Sequence, residues 1–124
     1  MQKISTSNAP KAIGPYSQAI KVNNTIYTSG QIPLDAVSGE IVGSNIEEQA
    51  TQVLKNLSAV LEEGGSSLDL IVKTTCFLAD MSDFAKFNEV YSSFIKNAPA
   101  RSCVAVKTLP KNVLCEVEAI AITK

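Results

Sequence analysis

Arg101 is the only arginine in a chain that otherwise uses lysine for every positive charge. Its guanidinium is a planar fork that can grip a carboxylate through two parallel hydrogen bonds, which a lysine cannot do. It opens an extended stretch directly after Pro99-Ala100. By itself it fits a structural ion pair as well as a ligand anchor. Cys103 lies two residues on, and on a strand shares a face with Arg101. No histidine or lysine adjoins it to lower its pKa, so it reads as a small buried apolar residue rather than a nucleophile.

Glu116 and Glu118 alternate in the last extended stretch and share a face with Leu114, Ile120 and Ile122. Carboxylates on a largely apolar face are costly to bury, and desolvation would raise their pKa toward that of a general base at neutral pH. A solvated charged patch fits the same spacing. Tyr16 follows the turn dipeptide Gly14-Pro15, Ser29 ends a strand beside Gly30, and Asn88 sits inside a helix, where asparagine is disfavoured. Each also has an ordinary structural explanation: packing, turn formation or solvent exposure.

The chain has no histidine. That removes Ser-His and Cys-His nucleophile pairs and histidine metal sites, and no phosphate-cradling glycine loop is present. Proton transfer is left to carboxylate, tyrosine, lysine or water. The net charge of -1 and scattered lysines offer no positive field for nucleic acid or an anionic membrane surface. Three cysteines, Cys76, Cys103 and Cys115, are an odd number without metal-ligand spacing, as expected of free thiols in a reducing compartment. No apolar run reaches membrane-spanning length and the first ten residues lack a signal-peptide core, so the expected address is the cytoplasm.

These side chains need a scaffold. At 124 residues, with 45% apolar and 19% charged, the chain predicts one domain spanning 1–124. Gln18 to Val22 and Thr25 to Ser29 read as a hairpin around Asn23-Asn24, and Gln31 to Gly43 as turn and loop. Asn45 and Glu48 form a helix start; apolar residues from Ile46 to Leu61 recur at helical spacing until Gly64-Gly65. Leu70 to Leu78 reads as a strand, and Ser82 or Asp83 as the cap of a second helix with Phe84, Phe87, Val90, Tyr91, Phe94 and Ile95 on its apolar face. Arg101 to Val106 and Leu114 to Thr123 predict two final strands. The order suggests an α/β (α+β) mixed sheet with two helices packed on one face. The other face must then be solvated or covered by another subunit, and a last strand apolar on both sides favours the second.

Gly14-Pro15-Tyr16-Ser17-Gln18-Ala19, Thr28-Ser29-Gly30-Gln31-Ile32-Pro33, Val72-Lys73-Thr74-Thr75, Pro99-Ala100-Arg101-Ser102-Cys103-Val104 and Glu116-Val117-Glu118-Ala119-Ile120-Ala121 together resemble the reactive intermediate deaminase (Rid, or YjgF) family in order and spacing. The resemblance covers nearly the whole chain. Phe94-Ile95 departs from an aromatic pair common in the family, and Cys115 from a branched apolar residue.

The resemblance implies a chorismate-mutase-like domain assembled as a homotrimer, with a cleft at each subunit interface. It implies hydrolysis of 2-iminobutanoate and 2-iminopropanoate, or their enamine tautomers, to 2-keto acids and ammonia. Pyridoxal-phosphate dehydratases would release these substrates, and the hydrolysis would need neither cofactor nor metal. Arg101 would bind the substrate carboxylate and Glu116 would activate water; Tyr16, Ser29, Gly30, Asn88 and Cys103 would line the cleft, with Tyr16 and Ser29 as hydrogen-bond donors. Two alternatives stay open: a non-catalytic trimer sensing a small carboxylate, and an RNA-cleaving or translation-inhibiting protein, which the acidic charge and lack of histidine disfavour.

Overall fold

A computed structural model describes residues Met1–Lys124. Its strands are β1 (Gln2–Ile4), β2 (Ala19–Val22), β3 (Thr25–Thr28), β4 (Ile71–Leu78), β5 (Ala100–Ala105) and β6 (Cys115–Ile122), and its helices α1 (Ile46–Glu63) and α2 (Phe84–Phe94). The six strands form one mixed sheet in the order β1-β2-β3-β6-β4-β5. Only β4 and β5 run parallel, joined by α2 as a crossover, so β5 is a sheet edge. β1 is an element the sequence reading leaves unassigned: three residues are too few for a period, and pairing with β2 is what fixes them.

Helix α1 starts and stops where its sequence requires. Asn45 Oδ1 accepts from the Glu48 amide at 2.9 Å, and Glu48 reaches back to the Ser44 amide at 3.0 Å. At the other end Gly65 adopts φ +86, and the amides of Gly65 and Ser66 cap the carbonyls of Glu62 and Leu61. The cap anticipated at Ser82 or Asp83 for α2 lies elsewhere. Asp80 accepts from the Ser82 amide at 2.8 Å and starts a single 3-10 turn that leads into α2, while Asp83 makes no capping bond.

Both helices cover one face of the sheet. Val53, Leu54, Leu57, Val60 and Leu61 of α1 share a core with Phe87 and Tyr91 of α2 and with Cys76, Leu78, Cys115, Val117, Ala119 and Ala121 of the sheet. The opposite face carries Tyr27, Val72, Val104 and Ile122, each more than 40% exposed in the single chain. No helix is long and apolar enough to cross a membrane.

Candidate functional site

Strand alternation decides where the candidate side chains go. In the parallel ladder Thr74 pairs with Arg101 and Cys76 with Cys103. Thr74 and Cys76 are buried on the helix side, so Arg101 and Cys103 face that side too. In the antiparallel ladder Phe77 pairs with Glu116 and Thr75 with Glu118, placing both carboxylates on the uncovered face. Arg101 and Glu116 therefore lie on opposite faces of one sheet, and a single chain does not bring them together.

The first cluster is built by α2 over the edge strand. Phe84, Asn88 and Tyr91 stand at i, i+4 and i+7, one stripe along the helix. Arg101 Nη1 donates to Asn88 Oδ1 at 2.7 Å. Its guanidinium carbon lies 4.9 Å from the Tyr91 ring centre and 5.5 Å from that of Phe84. The Tyr91 hydroxyl is hydrogen-bonded to Thr74 Oγ1 at 2.7 Å. One of the five guanidinium N–H donors is thus used within the chain, leaving enough for a bidentate grip on a carboxylate.

Cys103 lies beside Arg101 and next to Cys76. Burial raises its thiol pKa and the Arg101 charge only partly offsets this. Cys76 and Cys115 are pushed up to about 12 by burial. All three are neutral thiols at physiological pH, which leaves no activated sulfur nucleophile.

The second cluster surrounds Glu116. Burial, and then repulsion from Glu118, raises the Glu116 pKa. Beyond β3 the chain runs beside β6 as a single bridge, with Gln31 and Val117 exchanging backbone hydrogen bonds of 2.8 and 3.1 Å. This lays Gly30 against the Glu116 side chain so closely that no Cβ would fit. Ser29 is near but differently used. Its hydroxyl donates to the Ser17 carbonyl at 2.6 Å, so the donor role anticipated for it is already committed and only its lone pairs are left to meet a ligand. Tyr16 is half-exposed, bends back over Gly14, and lines with Gly30 and Gln31 a recess of about 390 Å³.

Of the residues singled out from sequence, the fold thus gathers Arg101, Asn88 and Cys103 in one cluster and Glu116, Gly30 and Ser29 in another, with Tyr16 joined to the second through the recess it shares with Gly30. Thr74, Phe84 and Tyr91 were missed as parts of the first. The signal was there in the i, i+4, i+7 spacing of Phe84, Asn88 and Tyr91, but an apolar helical face is ordinarily core, and nothing in the sequence says that a strand-edge arginine lies over it.

The family model described as Endoribonuclease L-PSP matches residues 6–123. The chain belongs to this family, also called YjgF or Rid. A RutC family protein of Pyrococcus abyssi is 56% identical over 95% of this chain and 94% of its own length. The human 2-iminobutanoate/2-iminopropanoate deaminase is 49% identical over 96% of this chain and 88% of its own. Among solved structures, E. coli TdcF with bound serine superposes with a TM-score of 0.95 at 42% identity, covering 100% of both chains. The YjgF/Rid fold is therefore that of this chain from end to end, and 2-iminobutanoate/2-iminopropanoate deaminases are among its relatives.

Proposed function

We propose that this protein is a hydrolytic deaminase of 2-imino acids, acting at sites formed between subunits of a homotrimer. The observation that carries this is the separation of two chemically complementary clusters: a clamped arginine at one sheet edge, and a carboxylate of raised pKa on the opposite, uncovered face. Neither is a complete site. Packing the exposed apolar face against a second copy would bury Val104 and Ile122, and the proposal sets Glu116 of one subunit against the Arg101 edge of the next.

Arg101 would hold the substrate carboxylate, with Asn88 and Cys103 beside it and Tyr16, Ser29 and Gly30 lining the cleft from the Glu116 side. A protonated imine carbon is already electrophilic, so the chemistry needs neither a covalent nucleophile nor a metal. Glu116 would take a proton from water as its oxygen bonds to that carbon, forming a carbinolamine. Glu116 would return that proton to the amine nitrogen, and collapse of the carbinolamine, with its hydroxyl proton passing to water, would expel ammonia and leave the 2-keto acid. Positioning both reactants would lower the barrier by several kcal/mol, and a general base adds about 10²–10⁴-fold.

The deaminase name of the human relative and the serine in TdcF, a small molecule bearing a carboxylate, support the substrate class. Its source would be a pyridoxal-phosphate dehydratase, and its setting the cytoplasm. The test generates 2-iminobutanoate with a threonine dehydratase and follows keto acid release. Acceleration by this protein that is largely lost in Arg101→Ala at substrate below KM supports the reading; no acceleration over several imino acids by the folded protein rejects it.

A further inference from the structure

We infer that Tyr91 and Phe84 are positioning residues that fix the plane of the Arg101 guanidinium, with Thr74 locking the Tyr91 ring from beneath. The inference rests on the proposed role of Arg101 as carboxylate anchor and extends it to side chains that would not touch the substrate.

The geometry argues this in three steps. Arg101 belongs to an edge strand, and a long side chain there would ordinarily sweep through many rotamers. Here its Nη1 is held at 2.7 Å by Asn88, and its guanidinium carbon lies over two rings, 4.9 and 5.5 Å from their centres. Those three contacts come from one stripe of α2, so they are rigid relative to each other.

The Tyr91 ring is itself held by its surroundings. It is 7% exposed, packs against Phe87 with ring centres 5.9 Å apart, and its hydroxyl meets Thr74 Oγ1 at 2.7 Å. Thr74 is fully buried on β4 and is the register partner of Arg101 in the parallel ladder. A closed circuit results, from Arg101 through Tyr91 and Thr74 back across the ladder to Arg101. A preformed fork binds a carboxylate without first having to order itself.

The experiment compares Tyr91→Leu, Tyr91→Phe and Phe84→Leu with the unmodified protein. Two readouts are used: 2-iminobutanoate turnover, and calorimetric binding of 2-oxobutanoate, which needs Arg101 but no chemistry. Tyr91→Leu and Phe84→Leu should each weaken 2-oxobutanoate binding and raise KM, on the order of tenfold, with kcat nearly unchanged, because the carboxylate grip is present in ground and transition states alike. Tyr91→Phe keeps the ring but loses the bond to Thr74, so its affinity should fall between that of Tyr91→Leu and that of the unmodified protein. A folded Tyr91→Leu with native affinity and KM would overturn the inference while leaving the deaminase reading intact. If Tyr91→Leu does not fold, Phe84→Leu decides by the same criterion. Turnover absent from the unmodified protein would reject the deaminase reading, and the binding series then judges the clamp alone. Failure of the unmodified protein to bind 2-oxobutanoate would overturn the clamp as well.

Discussion

Gly30 lies directly against the side chain of Glu116: a methyl built on Gly30 would overlap the carboxylate oxygen and stand 2.8 Å from the carboxyl carbon. The glycine is there for space, since its φ is not in the left-handed region. Gly30→Ala should therefore push the Glu116 carboxylate aside. The displaced atoms are the free end of a side chain, so the fold should survive while kcat falls. The same change in a Glu116→Gln background should cost little further activity, because the group it displaces no longer acts. Stopped activity assays on the two single variants and the double variant check this, and fully additive losses would refute it.

Glu116 has a pKa raised from 4.5 by burial and by Glu118. A base must be ionised, so kcat/KM should fall as pH drops through a value above 4.5, and Glu118→Gln should move that acid limb downward. The effect on stability has the opposite sense. A carboxyl whose folded pKa is raised contributes stability at low pH, and that contribution is lost as pH rises through the folded value. Glu116→Gln cannot ionise, so it should lose about 10²–10⁴-fold in activity. It should also melt higher than the native protein in neutral buffer, with the difference closing in acid. A melting series across pH measures it.

Arg101 and Glu116 face opposite sides of the sheet, so the proposed site would take one residue from each of two subunits. Arg101→Ala should raise KM by roughly 10–100-fold, the loss of a charge-assisted fork. Arg101→Lys should recover only part of it. Mixing Arg101→Ala with Glu116→Gln by co-refolding should restore activity to about a quarter of the sites in a randomly assorted cyclic trimer. A mixture no more active than the two variants kept apart would place both residues in one chain's site.

Asn56 is 1% exposed in α1. Its amide nitrogen donates to the carbonyls of Ile32 at 3.1 Å and Leu34 at 3.0 Å, and its oxygen accepts from Gln52 at 2.9 Å. Asn56→Leu leaves the Ile32 carbonyl with only the Leu34 amide and the Leu34 carbonyl with only Gln52 at 3.5 Å, and should destabilise the protein by about 1–3 kcal/mol. The loop after Gly30 keeps only the Gln49 and Gln52 ties to α1, so activity should fall before the protein unfolds. Urea melts at matched protein concentration, read beside turnover, separate the two effects.

Much of the scaffold was legible because it depends on short-range rules. The Asn45–Glu48 cap, the Gly64-Gly65 stop and the 3.6-residue apolar period specify α1 without reference to the rest of the chain. The alternation in Cys115–Ile122 showed a strand with one face for the core and one for something else. Boundaries moved by one residue where a ladder partner decided them, as at Ala100 and Cys115. The α2 cap went to Asp80 because a 3-10 turn precedes the helix, a choice that local composition among Asp80, Ser82 and Asp83 leaves open.

What the residues alone determined about chemistry was an inventory: one arginine able to fork a carboxylate, two alternating glutamates on an apolar strand, no histidine and no activated thiol. The sequence motifs also fixed the family. Only the tertiary structure decided that Arg101 lies over Phe84 and Tyr91, that Gly30 makes room for Glu116, and that Ser29 spends its proton on Ser17. It alone placed Arg101 and Glu116 on opposite faces. The reason is geometric: which way a side chain points on a strand follows from ladder register and from which face the helices cover, and both are set by contacts between residues far apart in the chain.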